Sequence, residues 1–233
     1  MEAPFATAIL VAAGRSTRMG SSSVPKPLLP LAGRPILDYS LRAMAATQSV
    51  RDVIVVAQPE HFAAIQALAA PFAMNLLPLV AGGTERFHSV CAGSRASLET
   101  SEVLLIHDAA RPLVRPAAID QVALQARSDG AAVLACPVTD SLHRSMDGRK
   151  VFEPVDRTSL WAAQTPQAFQ RRPFLGALSD AERVGWLPTD DVALFERFVG
   201  AVTLVLGSPD NLKITHPSDL LVAETLLREQ ARL

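Results

Sequence analysis

A loop of small and basic residues near the N-terminus is the first segment of this chain that could do chemistry. The apolar run at residues 7–11 leads into Ala12-Ala13-Gly14, and the cations Arg18 and Lys26 follow. Small side chains let backbone N–H groups approach a polyphosphate closely, and the two cations supply positive charge. Prolines on both sides of Lys26 restrict its backbone and would aim its side chain reproducibly. The loop predicts a phosphate site, with an ordinary surface loop as the alternative.

Two common nucleotide-binding motifs are missing from this loop. It contains no Gly-Lys-Ser/Thr, so it is not a Walker loop. Gly14 is not followed by glycines at G-x-G-x-x-G spacing, which argues against an NAD-dependent dehydrogenase on a Rossmann-like sheet. A failure to bind NADH would exclude that alternative.

An acidic residue follows another apolar run. Asp108, in His107-Asp108-Ala109-Ala110-Arg111-Pro112, comes directly after the run at residues 103–106. Ligands of open α/β sheets bind at the carboxyl ends of strands, where a carboxylate could hold a divalent ion or a substrate hydroxyl. An aspartate that caps a helix is the alternative.

Two further segments contain candidate ligand contacts. Gly82-Gly83 permits a tight turn that would place backbone groups against a base, and Ser89 would either contact that base or cap a helix. Lys213 follows the last apolar run, where a solvated surface lysine is the alternative interpretation.

Alternating strand and helix patterns must position these loops. Apolar runs that suit strands buried on both faces are found at residues 7–11, 52–57, 76–80, 103–106, 131–137 and 202–206. Helical patterns lie between or after them, at residues 36–46, 61–69, 89–98, 116–128, 173–183, 191–198 and 218–230. This alternation predicts a three-layer α/β/α fold with a Rossmann-like, mainly parallel sheet. With no internal repeat or linker, residues 1–233 are interpreted as one domain.

One segment interrupts this alternation. Residues 141–146 and 150–155 flank Asp147-Gly148, a pair suited to a type I′ turn, and predict a hairpin arm at about residues 139–158. A two-stranded ribbon this polar is unstable alone in water and should lie against something. A second subunit is the natural candidate, and packing on its own domain is the alternative.

The composition excludes several classes of protein. Hydrophobic residues make up 49% of the chain and charged residues 19%, so a sizeable core forms. The net charge of −1 argues against a nucleic-acid binder. The N-terminal apolar run is too short for a membrane span and wrongly flanked for a secretion signal. The two cysteines of the chain, Cys91 and Cys136, form no metal cluster or disulfide framework, which suits a reducing compartment. We therefore expect a cytoplasmic protein that contacts no membrane.

Taken together, these motifs resemble those of one enzyme family. The pattern A-A-G-x-S-x-R-M-G…P-K, G-G-x-x-R-x-x-S-V, H-D-A-A-R-P, D-R…W…Q-T-P-Q and D-N-x-K-I-T is similar to that of the 2-C-methyl-D-erythritol 4-phosphate cytidylyltransferases. The match runs in the same order from about residue 6 to 224. The resemblance implies a transfer of CMP from CTP to a sugar-alcohol phosphate in non-mevalonate isoprenoid synthesis.

The resemblance also implies a role for each matched residue. Residues that would bind the nucleotide are Ala12, Ala13, Gly14, Gly83, Ser89, Asp108 and Ala109. Arg18 and Lys26 would stabilise the α-phosphate during transfer, and Arg157 and Lys213 would hold the acceptor phosphate. Asp108, Arg111, Ser141 and Thr165 would line the methylerythritol side. Family members exchange the hairpin arm in a homodimer, so Arg157 would act in the partner's site.

The implied mechanism is in-line attack of the acceptor phosphate on the α-phosphorus of CTP. This nucleophile is already anionic near neutral pH, so no general base is required. Mg²⁺ would be held mainly by the triphosphate and by few protein ligands, with Asp108 as the candidate.

Three positions depart from the commonest family pattern. Val11 stands where proline is frequent, Thr84 where an acid is frequent and Ser141 where threonine is frequent. The nearest rival is a ribitol 5-phosphate cytidylyltransferase, which has related loops and the same chemistry. A non-enzymatic nucleotide-binding regulator is another alternative, but it would need no cations on the substrate side.

Overall fold

The computed structural model describes residues 3–14 and 25–230. The strands of this part are β1 (Ala6–Val11), β2 (Pro30–Leu31), β3 (Arg34–Pro35), β4 (Val50–Ala57), β5 (Asn75–Leu76), β6 (Val80–Ala81), β7 (Val103–Asp108), β8 (Ala131–Pro137), β9 (Leu142–Arg144), β10 (Glu153–Val155), β11 (Trp161–Gln170) and β12 (Thr203–Leu206). The helices are α1 (Ile36–Ala45), α2 (Phe62–Ala69), α3 (Arg86–Arg95), α4 (Pro116–Asp129), α5 (Arg171–Arg183), α6 (Asp191–Phe198) and α7 (Pro217–Gln230).

One eight-stranded sheet organises the molecule. Its order is β12-β8-β11-β7-β1-β4-β5, and β6 also pairs with β4. The pairs β7–β1, β1–β4, β4–β5, β4–β6 and β12–β8 are parallel. The prediction of a mainly parallel α/β sheet is therefore confirmed, because apolar runs buried on both faces form the central strands.

Helices cover both faces of this sheet. Side chains of α1, α2 and α4 pack in one core cluster with one set of strand residues. Those of α3, α5 and α6 pack in a second cluster with the other set. A smaller cluster joins α7 to Leu31, Leu113 and Ile214. No helix in the described ranges is long and apolar enough to cross a membrane.

The strand β11 was not predicted from the sequence. It lies antiparallel between β7 and β8, in the middle of the sheet, although it contains Gln164, Thr165, Pro166 and Gln167. Its register with β8 shifts between Ala163 and Gln167, where the proline lacks an N–H for the ladder. The Gln164 amide donates to the Ser208 carbonyl at 2.8 Å, so a buried polar group is satisfied outside the sheet.

The predicted strand at residues 76–80 is also different in the structure. It is two short strands, β5 and β6, which pair with different parts of β4. Prolines do not continue a ladder, and Pro78 lies in the segment that separates the two strands.

A hairpin of β9 and β10 protrudes after β8, with Arg144 opposite Glu153. Its predicted two-residue turn is wrong, because the strands end at Arg144 and begin again at Glu153. The Asp147 side chain accepts hydrogen bonds from the N–H groups of Arg149 and Lys150 at 2.8 and 2.9 Å. This local side-chain bonding replaces the cross-strand ladder near the tip.

Candidate active site

A cavity of about 280 Å³ opens at the carboxyl ends of β1 and β7. This is the edge of a parallel sheet where ligands bind. Its wall contains residues from six separate segments, and these include the predicted site residues Ala12, Ala13, Gly14, Lys26, Gly83, Ser89, Asp108, Ala109 and Lys213.

The loop after β1 is held on both sides. The Ala12 N–H donates to the Val56 carbonyl at 2.8 Å, and the Ala109 N–H donates to the Val11 carbonyl at 3.2 Å. The Gln58 amide donates to the Ala13 carbonyl at 3.0 Å. These bonds extend the sheet into the cavity wall and fix the backbone that a ligand would meet.

The turn before α3 forms the opposite wall. The Gly83 N–H donates to Ser89 Oγ at 3.1 Å, and Ser89 Oγ contacts the Glu85 carbonyl at 3.3 Å. A Cβ on Gly82 would lie 2.1 Å from the Ala13 Cβ, and one on Gly83 would lie 2.4 Å from the His88 Cβ. Two glycines are therefore required by close packing, and the buried Ser89 hydroxyl orders the turn.

Four charged side chains form a network at the cavity floor. Lys213 Nζ lies 2.7 Å from Asp108 Oδ2, and Arg86 Nε donates to Asp108 Oδ1 at 3.1 Å. A terminal nitrogen of Arg86 donates to Asp191 Oδ2 at 2.8 Å. Neither Arg86 nor Asp191 was predicted to have a role, although Arg86 belongs to the G-G-x-x-R motif.

The charges of this network determine the direction in which the pKa of Asp108 shifts. Burial on its own would raise the pKa of Asp108, but the Arg86 guanidinium and the Lys213 ammonium hold it well below its usual range. Burial raises the pKa of Asp191 against the opposing effect of Arg86. Asp108 is therefore a carboxylate at neutral pH, with one oxygen on each cation.

His107 lies behind the wall. Its ring shares a hydrogen bond of 3.0 Å with Thr165 Oγ1, and its other nitrogen lies 3.2 Å from the Arg111 carbonyl. Complete burial lowers the pKa of His107 to about 4, so the ring is neutral at pH 7. The side chain orders its surroundings and is not placed to remove a proton from a ligand.

Other predicted site residues lie outside the cavity wall. Thr165 Oγ1 accepts from the Asp108 N–H at 3.1 Å, behind the strand end. Arg111 donates to the Asn211 carbonyl at 2.7 Å and so supports the segment that carries Lys213. Ser141 and Arg157 are exposed at the arm, where Arg157 donates to the Thr139 carbonyl. Arg18 falls outside the described residues.

The contacts of Asp108 restrict the metal site that was predicted at this residue. Both oxygens of Asp108 accept bonds from cations. Within residues 3–14 and 25–230, no group of three or more His, Cys, Asp or Glu side chains could hold a metal ion. A bound metal would thus depend on oxygens that a ligand brings, as Mg²⁺ does when it binds with phosphates.

The fold and this cationic cavity define the class of protein as a nucleotidyltransferase. The family model of 2-C-methyl-D-erythritol 4-phosphate cytidylyltransferase matches residues 6–229. The chain belongs to the 2-C-methyl-D-erythritol 4-phosphate cytidylyltransferase family, as its motifs predicted.

Individual relatives and structures agree with this membership. The cytidylyltransferases of this name from Thermosynechococcus vestitus and Bacillus licheniformis are 40% and 36% identical to the chain, with 95% and 96% of each chain covered. The crystal structure of 4-diphosphocytidyl-2C-methyl-D-erythritol synthase from Anaerococcus prevotii has a TM-score of 0.86 at 26% identity, over 97% of this chain and 96% of that one. The cytidylyltransferase structure from Thermus thermophilus has a TM-score of 0.78 at 31% identity, over 94% of this chain and 98% of that one.

The glycine turn gives a first testable expectation. Gly82→Ala would push the turn away from Ala13, because the added Cβ has no room. Overpacking of this kind costs about 1–3 kcal/mol, so we expect CTP to bind roughly 5–150-fold more weakly by calorimetry. Gly176→Ala is the matched control, since its Cβ would meet nothing within 4 Å. Equal CTP affinity in Gly82→Ala and in the unchanged protein would contradict this account of the turn.

Proposed function

We propose that the cavity binds CTP and transfers its CMP group to 2-C-methyl-D-erythritol 4-phosphate. The observation that supports this most strongly is the presence of Lys26 and Lys213 in one cavity with the Gly83–Ser89 turn. An oxygen of the acceptor phosphate bonds to the α-phosphorus of CTP. The bond from the α-phosphorus to its bridging oxygen breaks, and pyrophosphate leaves with that electron pair.

Charge and positioning supply the catalysis in this proposal. Two anions must approach one another, and cations that are fixed before the reaction lower the cost of bringing them together. Lys26 Nζ donates to the Ile214 carbonyl at 3.1 Å, which places its ammonium beside the segment of Lys213. His107 is fully buried and does not line the cavity, which fits a reaction that needs no general base.

Mg²⁺ is the proposed cofactor. The phosphate oxygens of CTP would hold most of its coordination sites, and Asp108, which lines the cavity together with Glu85, is the proposed protein ligand. Bound there, the ion would neutralise charge on the pyrophosphate leaving group.

Pyrophosphate release is the direct test of this function. The protein is incubated with Mg²⁺, CTP and either 2-C-methyl-D-erythritol 4-phosphate or ribitol 5-phosphate, with ATP, GTP and UTP as controls. We expect release that requires both CTP and the methylerythritol phosphate. Faster pyrophosphate release with ribitol 5-phosphate would show that the protein is a ribitol 5-phosphate cytidylyltransferase. CTP binding without any pyrophosphate release would favour a non-enzymatic nucleotide-binding regulator.

We also propose that the protein is a cytoplasmic homodimer whose arms reach the partner's site. On the arm, Met146, Val151 and Phe152 are 80%, 66% and 68% exposed, which is costly for apolar side chains that meet only water. Trp161, at the base of the arm, is also 40% exposed. Arg157 lies outside the cavity of its own chain, so an arm that crosses between subunits accounts for a role in binding phosphate.

Mixing two inactive variants tests the crossed arm. Lys26→Ala and Arg157→Ala are each expected to lose most activity as homodimers. After unfolding and refolding together, about half of the dimers contain one chain of each kind, and one of their two sites then has both residues intact. We expect about a quarter of the normal activity to return. An Arg157 that acts in its own chain would give no recovery.

A further inference from the structure

The cavity wall contains an arginine that the proposed mechanism does not use. Arg86, the first residue of α3, bonds Asp108 at the end of β7 and Asp191 at the start of α6. A planar guanidinium can meet two carboxylates at once, while a lysine ammonium presents a single point of charge. Arg86 therefore joins three elements of the fold at the cavity floor.

At the α6 end of this connection, burial and hydrogen bonding hold Asp191 in place. Asp191 is only 1% exposed, and its N–H donates to Gln167 Oε1 at 3.2 Å. The neighbouring Asp190 caps α6, because its side chain accepts from the Ala193 N–H at 2.9 Å. Asp191 is thus tied to both α6 and β11, and it offers Arg86 a fixed partner.

At the other end of the connection, the Asp108 carboxylate positions the ammonium of Lys213. With Asp108 Oδ1 on Arg86, Oδ2 faces Lys213 at 2.7 Å. Arg86 also shares the negative charge of Asp108, so that Lys213 is not neutralised by a whole carboxylate. Its side chain is 41% exposed and open to an incoming phosphate.

We propose that Arg86 and Asp191 are positioning residues for the acceptor half of the site. Asp191 holds Arg86, Arg86 holds Asp108, and Asp108 places Lys213. This inference rests on the proposed function, in which Lys213 holds the acceptor phosphate, and it separates the acceptor half from the nucleotide half of the cavity.

The test compares Arg86→Lys and Asp191→Asn with the unchanged protein. Arg86→Lys keeps the charge but loses the fork, and Asp191→Asn keeps the shape but removes one negative charge. We expect kcat to fall roughly 10–100-fold in each, with a raised KM for the acceptor. CTP affinity, measured by calorimetry, changes much less than the acceptor KM, and its stoichiometry stays at one per chain. The double variant loses no more than the worse single variant, because the two residues act in series.

Arg95→Lys is the matched control, since Arg95 lies on the same helix and pairs with Glu182 at the surface. It is expected to keep full activity. Normal kcat in Arg86→Lys would show that charge alone matters and would overturn the proposal. So would normal kcat with tighter acceptor binding in Asp191→Asn, or an equal loss of CTP binding and thermal stability in both variants. An inactive unchanged protein would instead reject the proposed function.

Discussion

Lys26→Ala is expected to lower kcat by roughly 10²–10³-fold, as for the loss of one preorganised charge at a transition state. Lys26 lines the cavity beside Gly14 and Pro27, and its ammonium contacts the Ile214 carbonyl. In the proposed reaction negative charge gathers at the α-phosphate, where this ammonium is needed most. Steady-state pyrophosphate release at saturating CTP and acceptor measures the change.

The control for Lys26→Ala is Arg183→Ala, an exposed cation on α5 that pairs with Asp180. It should keep normal turnover. Thermal melting of Lys26→Ala should stay close to that of the unchanged protein, because its backbone is fixed by prolines rather than by its side chain. Near-normal kcat in Lys26→Ala would contradict the role assigned to this residue.

Lys213→Ala is expected to lower kcat by a similar factor, roughly 10²–10³-fold, and also to raise the KM for the acceptor. The ammonium of Lys213 is partly exposed and faces the cavity, while Arg86 continues to pair with Asp108 in this variant. CTP binding should therefore change little by calorimetry. This small change in CTP binding distinguishes Lys213 from Lys26, because Lys26 is expected to contact the nucleotide and Lys213 the acceptor phosphate.

Lys213→Arg extends this prediction. Arginine keeps the charge but is longer and planar, and we expect it to recover acceptor affinity without full kcat. A normal acceptor KM together with weakened CTP binding in Lys213→Ala would place this lysine in the nucleotide half of the site. That result would contradict its assigned contact with the acceptor phosphate.

The fold was predictable wherever a strand is apolar on both faces. The strands β1, β4, β7 and β8 are such runs, and each is found close to its predicted position. The strand β11 has no such run, because its central Gln164, Thr165 and Gln167 bond to groups outside the ladder. Only the three-dimensional neighbours of these side chains make a polar central strand stable.

The site was predictable where its residues follow strands directly. Ala12–Gly14 and Asp108–Ala109 come at strand ends, and the sheet brings such ends together. Arg86 and Asp191 are 105 positions apart in sequence, and nothing local indicates that they form a pair. Thr165 and Arg111, predicted to line the methylerythritol side, contact the Asp108 N–H and the Asn211 carbonyl, and their role toward the acceptor stays a prediction.

A crystal structure with an unreactive CTP analogue and the acceptor phosphate tests the central claim most directly. We expect cytosine against the Gly83–Ser89 turn, the α-phosphate in hydrogen-bond contact with Lys26 Nζ, and the acceptor phosphate on Lys213 Nζ. A nucleotide bound away from this cavity, or two ammonium groups that contact neither phosphate, would contradict it.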